Sequence, residues 1–291
     1  MHQILILSGK GGTGKTTVAS TFIALSKAKA YADCDVDAPN LHLVMGSFEN
    51  KKESDYYGLP KAVIDYALCI ACNQCFEVCR FDAVVPGPTY HINPVACEGC
   101  TFCQYVCPAN AIHMEPAKAG ELKLFTREDE IFSTATLIMG SGNTGKLVTE
   151  VKQQLKNNVQ ENEIAILDGS PGIGCPVIAS LSGVDLALIV SEPSVSAFSD
   201  LKRIISSARH LQVPVAVVVN KYDMQERLAE QIAEYCFKEG IPFLGKIPYD
   251  EAVVKALNLG KNLAWINSPA SDAIKQLYDK TLQVFKELIR S

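Results

Sequence analysis

The sequence predicts an α/β protein, a doubly wound, mostly parallel sheet interrupted by a small α+β insert. Three observations carry that prediction. The short apolar run Ile4-Leu5-Ile6-Leu7 leads into a glycine-rich loop and then a helical pattern from Thr17 to Ser26, the strand, loop and helix order of a phosphate-binding unit. From Ile164 onward, apolar segments of strand length alternate with segments of helix length, which implies parallel strands joined by crossover helices. Between the two, eight of the eleven cysteines fall into two dense runs, a pattern foreign to the alternating frame.

The glycine-rich loop reads Ser8-Gly9-Lys10-Gly11-Gly12-Thr13-Gly14-Lys15-Thr16-Thr17, and Gly9 to Thr16 fits Gly, four residues and Gly-Lys-Thr. Its glycines let backbone N–H groups turn inward on phosphate oxygens, and the following helix adds its positive end. The motif assigns Lys15 to the β- and γ-phosphates and Thr16 to Mg²⁺, so ATP and Mg²⁺ are the expected ligands. Lys10 follows the first glycine directly. With it, the run Lys-Gly-Gly-Thr-Gly-Lys-Thr-Thr resembles the phosphate loop of the MinD, ParA, Mrp and nitrogenase iron protein superfamily. That resemblance implies a nucleotide-sandwich dimer in which Lys10 reaches the partner's phosphates, as an arginine finger does elsewhere.

Lys29 to Asp33 reads as a second strand, delivering Asp33-Cys34-Asp35-Val36-Asp37-Ala38-Pro39-Asn40 to the same edge as the phosphate loop. Aspartates before a proline favour a turn by themselves. At a strand's carboxyl end they can also face Mg²⁺ and water. The stretch resembles the first switch of the MinD-type family, which implies Asp33 near Mg²⁺, Asp35 orienting the attacking water and Asn40 as a switch asparagine. Residues 47 to 58 are polar, without apolar periodicity, and read as a linker.

Cys69, Cys72, Cys75 and Cys79 are spaced x2, x2, x3, and Cys97, Cys100, Cys103 and Cys107 repeat the spacing 28 residues later. Phe81-Asp82-Ala83-Val84 lines up with Ala109-Asn110-Ala111-Ile112 in the same register, so the segment is an internal duplication. In such runs three thiolates serve one cubane and the fourth serves the other. Cluster one then takes Cys69, Cys72, Cys75 and Cys107, and cluster two takes Cys79, Cys97, Cys100 and Cys103. Interleaved spacing of this kind fits iron and sulfide far better than zinc. The unit resembles a bacterial two-cluster 4Fe-4S ferredoxin, with Pro108 after the last cysteine and Arg80 in place of the first proline. The expected domains are 1–58 with 119–291 for the ATPase and 59–118 for the ferredoxin-like insert.

The α/β pattern resumes at Ala135 to Met139, and Gly140-Ser141-Gly142-Asn143-Thr144-Gly145-Lys146 imitates a second phosphate loop. Leu147 stands where a metal-binding hydroxyl is required, so the stretch reads as a glycine turn entering a helix from Lys146 to Lys156. Ile164 to Asp168 reads as a buried parallel strand ending in a carboxylate. Asp168 looks like the Walker B aspartate holding Mg²⁺, with Gly172 presenting its N–H to the γ-phosphate as a second switch. Cys175 occupies a position where the nitrogenase iron protein carries a cluster cysteine, although a lone cysteine also serves as a small buried hydrophobe. Strands at 185–190, 214–219 and 242–247 then alternate with helices at 197–210, 225–239, 250–257 and 271–289. Asn220, Pro248 and Asp250 match places where MinD-type proteins contact adenine, while turn chemistry alone also accounts for Asn220.

A net charge of −5 gives no electrostatic footprint for nucleic acid. No stretch is long enough to span a bilayer and the terminal helix has no basic tail, which argues against stable membrane insertion. Cysteines with metal-ligand spacing beside a nucleotide loop point to a reducing, cytoplasmic setting. The combined resemblance is to P-loop ATPases with an inserted ferredoxin domain. It implies a homodimer, or a heterodimer with a paralogue, that couples ATP hydrolysis to electron transfer with a redox or metallocofactor partner protein. An ATP-dependent iron–sulfur or metallocofactor carrier is the second reading, and a redox-sensing positioning or regulatory ATPase the third.

Overall fold

The computed structural model describes residues 1–159 and 163–290. In the first part of the chain lie β1 (His2–Ser8), α1 (Lys15–Ser26), β2 (Ala30–Asp33) and β3 (Asn50–Tyr57). The cysteine-rich segment holds β4 (Lys61–Ile64), α2 (Gln74–Val78), β5 (Val84–Val85), β6 (His91–Ile92), α3 (Phe102–Tyr105) and β7 (Ile112–Glu115). Then come β8 (Lys118–Arg127), β9 (Glu130–Leu137), α4 (Thr144–Asn158), β10 (Ile164–Pro171), α5 (Cys175–Leu181) and β11 (Leu186–Ser191). The chain ends with α6 (Val195–His210), β12 (Val215–Asn220), α7 (Glu226–Lys238), β13 (Phe243–Ile247), α8 (Glu251–Asn258) and α9 (Pro269–Leu288).

Among the described residues a nine-stranded sheet runs β13-β12-β11-β1-β10-β2-β9-β8-β3. The strands from β13 to β9 pair in parallel, while β8 and β3 extend that edge antiparallel. β1 and β11 read as unbroken apolar runs because both of their faces are covered. One layer, with α4 to α7, buries Leu147, Val151, Leu181, Leu201 and Ile232. The opposite layer, with α1, α8 and α9, buries Val18, Phe22, Ala256, Ile274 and Phe285. Each large apolar side chain buried this way stabilises the fold by about 1.5–3 kcal/mol. The described residues contain no helix long and apolar enough to cross a membrane.

β1 and β10 approach so closely that Gly169 has no room for a side chain. A Cβ there would sit 2.4 Å from Leu7 Cδ2, 2.9 Å from Leu5 Cδ1 and 3.0 Å from the Ile6 carbonyl oxygen. Gly169→Val is therefore expected to destabilise by about 2–3 kcal/mol or more and to lower Tm by roughly 5–10 °C. Thermal unfolding checks this, and an unchanged Tm would contradict the packing.

Four elements differ from the sequence expectation, one of them being β8, a strand over Lys118–Arg127 where none was expected. Residues 50–57 are a strand rather than a linker, and they show no apolar alternation because this edge strand buries only Tyr56. Lys51, Lys52, Glu53 and Asp55 keep its open edge charged. β9 starts at Glu130, five residues before Ala135, so that Phe132 stacks on Tyr31 with centroids 5.3 Å apart. Residues 175–181 form α5 although glycines and a proline precede its apolar part, because Pro176 sits in the first turn, where a missing N–H costs nothing.

The cysteine-rich segment carries its own small core of Ala62, Ile64, Ala83, Val84 and Ile112, with Cys75 and Cys97 buried among them. β4 pairs antiparallel with β7 and β5 with β6. Its duplication extends to backbone conformation. Ala71 and Gly99, Asn73 and Thr101, and Asp82 and Asn110 share left-handed φ angles at equivalent positions of the two halves.

Candidate nucleotide site and cysteine cavities

Strand order decides where the chemistry collects. β10 and β11 flank β1 on opposite sides, and ligands bind open α/β sheets at the carboxyl ends of strands where the order reverses. The phosphate loop leaves β1 at that point. β2 and β10 end beside it, and Asp33 and Asp168 are direct register partners. A cavity of about 800 Å³ opens there, lined by loop residues including Lys10, Gly11, Gly12, Gly14, Lys15, Thr16 and Thr17. Asp35, Asp37 and Asn40 form another part of its wall, and Asn220, Pro248 and Asp250 a third.

Lys15 Nζ lies 2.7 Å from Asp168 Oδ1 and 3.8 Å from Asp35 Oδ2, and the Thr16 hydroxyl donates to Asp168 Oδ2 at 2.6 Å. Burial works against the Lys15 ammonium, but Asp168, Asp33 and Asp35 outweigh it and raise its pKa. Burial likewise pushes Asp35 up to about 6, with Lys15 opposing and Asp168 and Asp37 reinforcing the shift. A hydroxyl beside a carboxylate suits a hard divalent cation with oxygen ligands. Thr16 and Asp168 therefore fit Mg²⁺ once the Lys15 ammonium moves off Asp168.

Asp33 is placed differently from the role the sequence implied. It is fully buried behind the cavity wall, where Oδ1 accepts the Asp35 N–H and Oδ2 accepts the N–H groups of Asn40 and Leu41 at 2.9–3.0 Å. Burial, then the charge of Asp168, pushes its pKa up to about 7. Its carboxylate holds the loop from Asp35 to Leu41 in shape. Gly172 also differs: at φ 100° it donates its N–H to the Ser8 carbonyl at 3.0 Å. In this conformation that donor is committed to β1. Lys10 reaches 3.9 Å from Glu192 Oε1 across partly exposed surface, a contact weak enough to release easily.

At the opposite wall, Asn220 Nδ2 donates to the Thr13 carbonyl at 2.7 Å and Lys221 Nζ to the Gly12 carbonyl at 3.0 Å. The Asp250 carboxylate accepts from Ala252 N at 2.8 Å and from Ala270 N at 3.3 Å, so it ties down the starts of α8 and α9. Sequence reading missed the apolar end of the cavity, formed by Leu43, Val44, Val253, Val254 and Leu257. The amphipathic spacing of 251–258 was its only signal, because the short 3-10 turn Leu41–Val44 and α8 come to line one cavity only in the fold.

The eight clustered cysteines surround two further cavities. Cys69, Cys72, Cys75 and Cys107 line one, and Cys79, Cys97, Cys100 and Cys103 line the other. The last cysteine of each run thus joins the first three of the other. All are free thiols. Burial raises the Cys103 thiol to about 11, with neighbouring cysteines adding to the shift. The Ala111 N–H points at Cys107 Sγ, 3.3 Å away. Cys175 is exposed at the start of α5, unlike a core hydrophobe, while Cys34 and Cys236 are buried.

Comparison with known proteins agrees with the sheet and the loop. The chain is 35% identical over 287 residues to an uncharacterized protein of Methanocaldococcus jannaschii, covering 96% of this chain and 95% of that one. It is 25% identical over 309 residues to the iron-sulfur cluster carrier protein of Pyrococcus furiosus, covering 99% and 88% of the two chains. Among solved structures it superimposes on the septum site-determining protein MinD complexed with Mg-ADP from Pyrococcus horikoshii, with TM-score 0.58, 18% identity and coverage of 97% and 96%. That likeness establishes the mostly parallel α/β architecture. The model of the CobQ/CobB/MinD/ParA nucleotide binding domain matches residues 4–263, and the chain accordingly belongs to this family of P-loop ATPases.

Proposed function

We propose that the protein hydrolyses ATP as a dimer and uses the accompanying loop movements to govern electron transfer through two 4Fe-4S clusters. One observation carries the reading: a single chain combines a phosphate loop closed on a buried carboxylate with two cavities each walled by four cysteines. The donor sets fit, since each such cluster takes four thiolates. Sulfurs sharing one zinc ion at 2.3 Å would stand only about 3.8 Å apart. The four cysteines of each set instead line a cavity. Bound clusters supply one-electron storage.

The remaining roles belong to side chains of this chain. Lys15 exchanges Asp168 for the β- and γ-phosphates, which frees Asp168 and Thr16 to hold Mg²⁺. Asp35 orients the attacking water, and Asp33 keeps the loop that carries it in place. Lys10, released from Glu192, reaches the phosphates of the partner subunit. A separate redox protein supplies or receives the electrons.

The test is redox titration of the loaded protein with the hydrolysis product, with a non-hydrolysable triphosphate and with no nucleotide. Coupling of about 1–3 kcal/mol is typical of linked sites, which for one electron is a shift on the order of 40–130 mV. Three superimposable curves would refute the coupling. A second reading, ATP-dependent delivery of clusters, is favoured by the relative named iron-sulfur cluster carrier protein. Release of iron and sulfide to an apo-acceptor only when nucleotide is present would establish that reading in place of the first.

A further inference from the structure

Residues 138–146 form the turn whose sequence imitates a second phosphate loop. Gly140, Gly142 and Asn143 hold left-handed φ angles of 77°, 67° and 62°, a conformation that its surroundings maintain. Contacts fasten the turn to both stems of the cysteine-rich segment. The Ile138 N–H and the Ser141 hydroxyl donate to the Ala119 carbonyl at 2.8 and 2.9 Å, and the Lys146 ammonium lies 5.9 Å from the centre of the Tyr56 ring. The turn also touches the segment itself: a Cβ at Gly140 would stand 3.0 Å from Val95 Cγ1, and one at Gly142 3.5 Å from Glu98 Oε2. Gly99, next in the chain, packs on Leu59 and the Pro60 carbonyl with no room for a Cβ. These residues flank Cys97 and Cys100, and Glu98 itself lines the cavity those two share with Cys79 and Cys103. None of the residues lining the other cysteine cavity takes part in these contacts.

The turn opens α4, and α4 is tied to both ends of α5. A Cβ at Gly145 would lie 3.2 Å from the Cys175 carbonyl oxygen, so the first turns of the two helices touch. Further along, Lys152 Nζ donates to the Ala179, Ser180 and Ser182 carbonyls at 2.5–3.3 Å, satisfying acceptors that the end of α5 leaves open. Movement of α5 is therefore passed to α4, since packed interiors transmit strain. α5 begins just after Gly172, whose N–H is held by the Ser8 carbonyl. The sequence assigns that same N–H to the γ-phosphate, so ATP and Ser8 compete for it. We infer that ATP acts on the second cluster alone, the one taken by Cys79, Cys97, Cys100 and Cys103, through α5, α4 and the turn at 138–146. Val95 and Glu98 are the positioning residues. A Glu98 carboxylate brought nearer the cluster opposes the arrival of an electron, and one drawn off toward Gly142 opposes it less. This inference rests on the coupled electron-transfer reading and adds to it which cluster responds.

Redox titration of the anaerobically loaded chain, followed by electron paramagnetic resonance with ADP and with a non-hydrolysable ATP analogue, provides the test. Cys107→Ala keeps only the second cluster and Cys79→Ala only the first, as iron analysis verifies. Exchanging ADP for the analogue is expected to change the reduction equilibrium at least about fivefold in Cys107→Ala, a shift on the order of 40 mV, and to leave the Cys79→Ala curve in place. Val95→Ala/Glu98→Ala removes the contact with the turn and no thiolate, and should cut that change to about twofold or less. A Cys79→Ala protein that responds as strongly as Cys107→Ala, or an undiminished response in the Val95/Glu98 variant, overturns the route. Hydrogen exchange on the loaded natural chain gives an independent reading: amides at 95–100 are expected to change protection between the two nucleotides and those at 69–75 to stay constant, and equal changes in both overturn the route as well. A natural chain whose potentials ignore nucleotide altogether would instead refute the coupling on which the route rests.

Discussion

Replacing Lys15 by alanine is expected to abolish nucleotide binding and to loosen the nucleotide-free protein as well. Lys15 Nζ is buried and paired with Asp168 at 2.7 Å, and Asp168 is itself fully buried. Removing one partner of a buried pair leaves an uncompensated charge, at a cost of about 3–5 kcal/mol. Loss of the phosphate contact should raise Kd by at least about 100-fold, or roughly 2.7 kcal/mol. Calorimetry and thermal unfolding read the two effects separately. Lys10→Ala should spare most of the binding and remove hydrolysis, because among the described residues the Lys10 ammonium is held only by its 3.9 Å contact with Glu192. Mixed dimers of the two variants contain one site with its own Lys15 and the partner's Lys10. Recovered turnover supports action across the dimer, whereas inactive mixed dimers would place Lys10 at its own phosphates.

Cys107→Ala should strip one cluster and leave the other, lowering iron in reconstituted protein from about eight to about four per chain. The variant discriminates between pairings because Cys107 belongs by sequence to the second run and by position to the cavity of Cys69, Cys72 and Cys75. Cys79→Ala is the mirror case, removing a wall of the cavity formed by Cys97, Cys100 and Cys103. If the double variant Cys69→Ala/Cys107→Ala loses more iron than either single variant, the two residues do not share one cluster. Nucleotide affinity should change little in any of them, since the phosphate loop lies outside the cysteine-rich segment.

The parts legible in the sequence are those whose chemistry is local. Gly9 to Thr16 must follow a strand and open a helix for its backbone to face phosphate, and the cysteine spacing is itself a ligand geometry. Long apolar runs such as Leu186–Ser191 disclose a parallel sheet because only strands covered on both faces can afford them. The illegible parts depend on distant neighbours. Lys51 to Asp55 form a strand only because β8 offers a free edge. The commitments of Asp33 to Asn40 and Leu41, of Gly172 to Ser8 and of Asp250 to Ala270 are made by chain closure in space, and no spacing rule announces them.

Tyr57 and Lys118 face each other across β3 and β8, so the cysteine-rich segment departs from and returns to a single rung of an antiparallel pair. Neighbouring strands stand about 4.8 Å apart, a gap that a tight turn bridges as well as this long excursion does. The length-dependent part of the entropy cost of closing an excursion of about 60 residues is only about 3.6 kcal/mol, and the β3–β8 ladder holds its two ends together. The arrangement makes the segment a cassette. Excision at that rung is expected to leave every strand of the parent sheet in register and to give a nucleotide domain without the eight clustered cysteines, retaining only Cys34, Cys175 and Cys236.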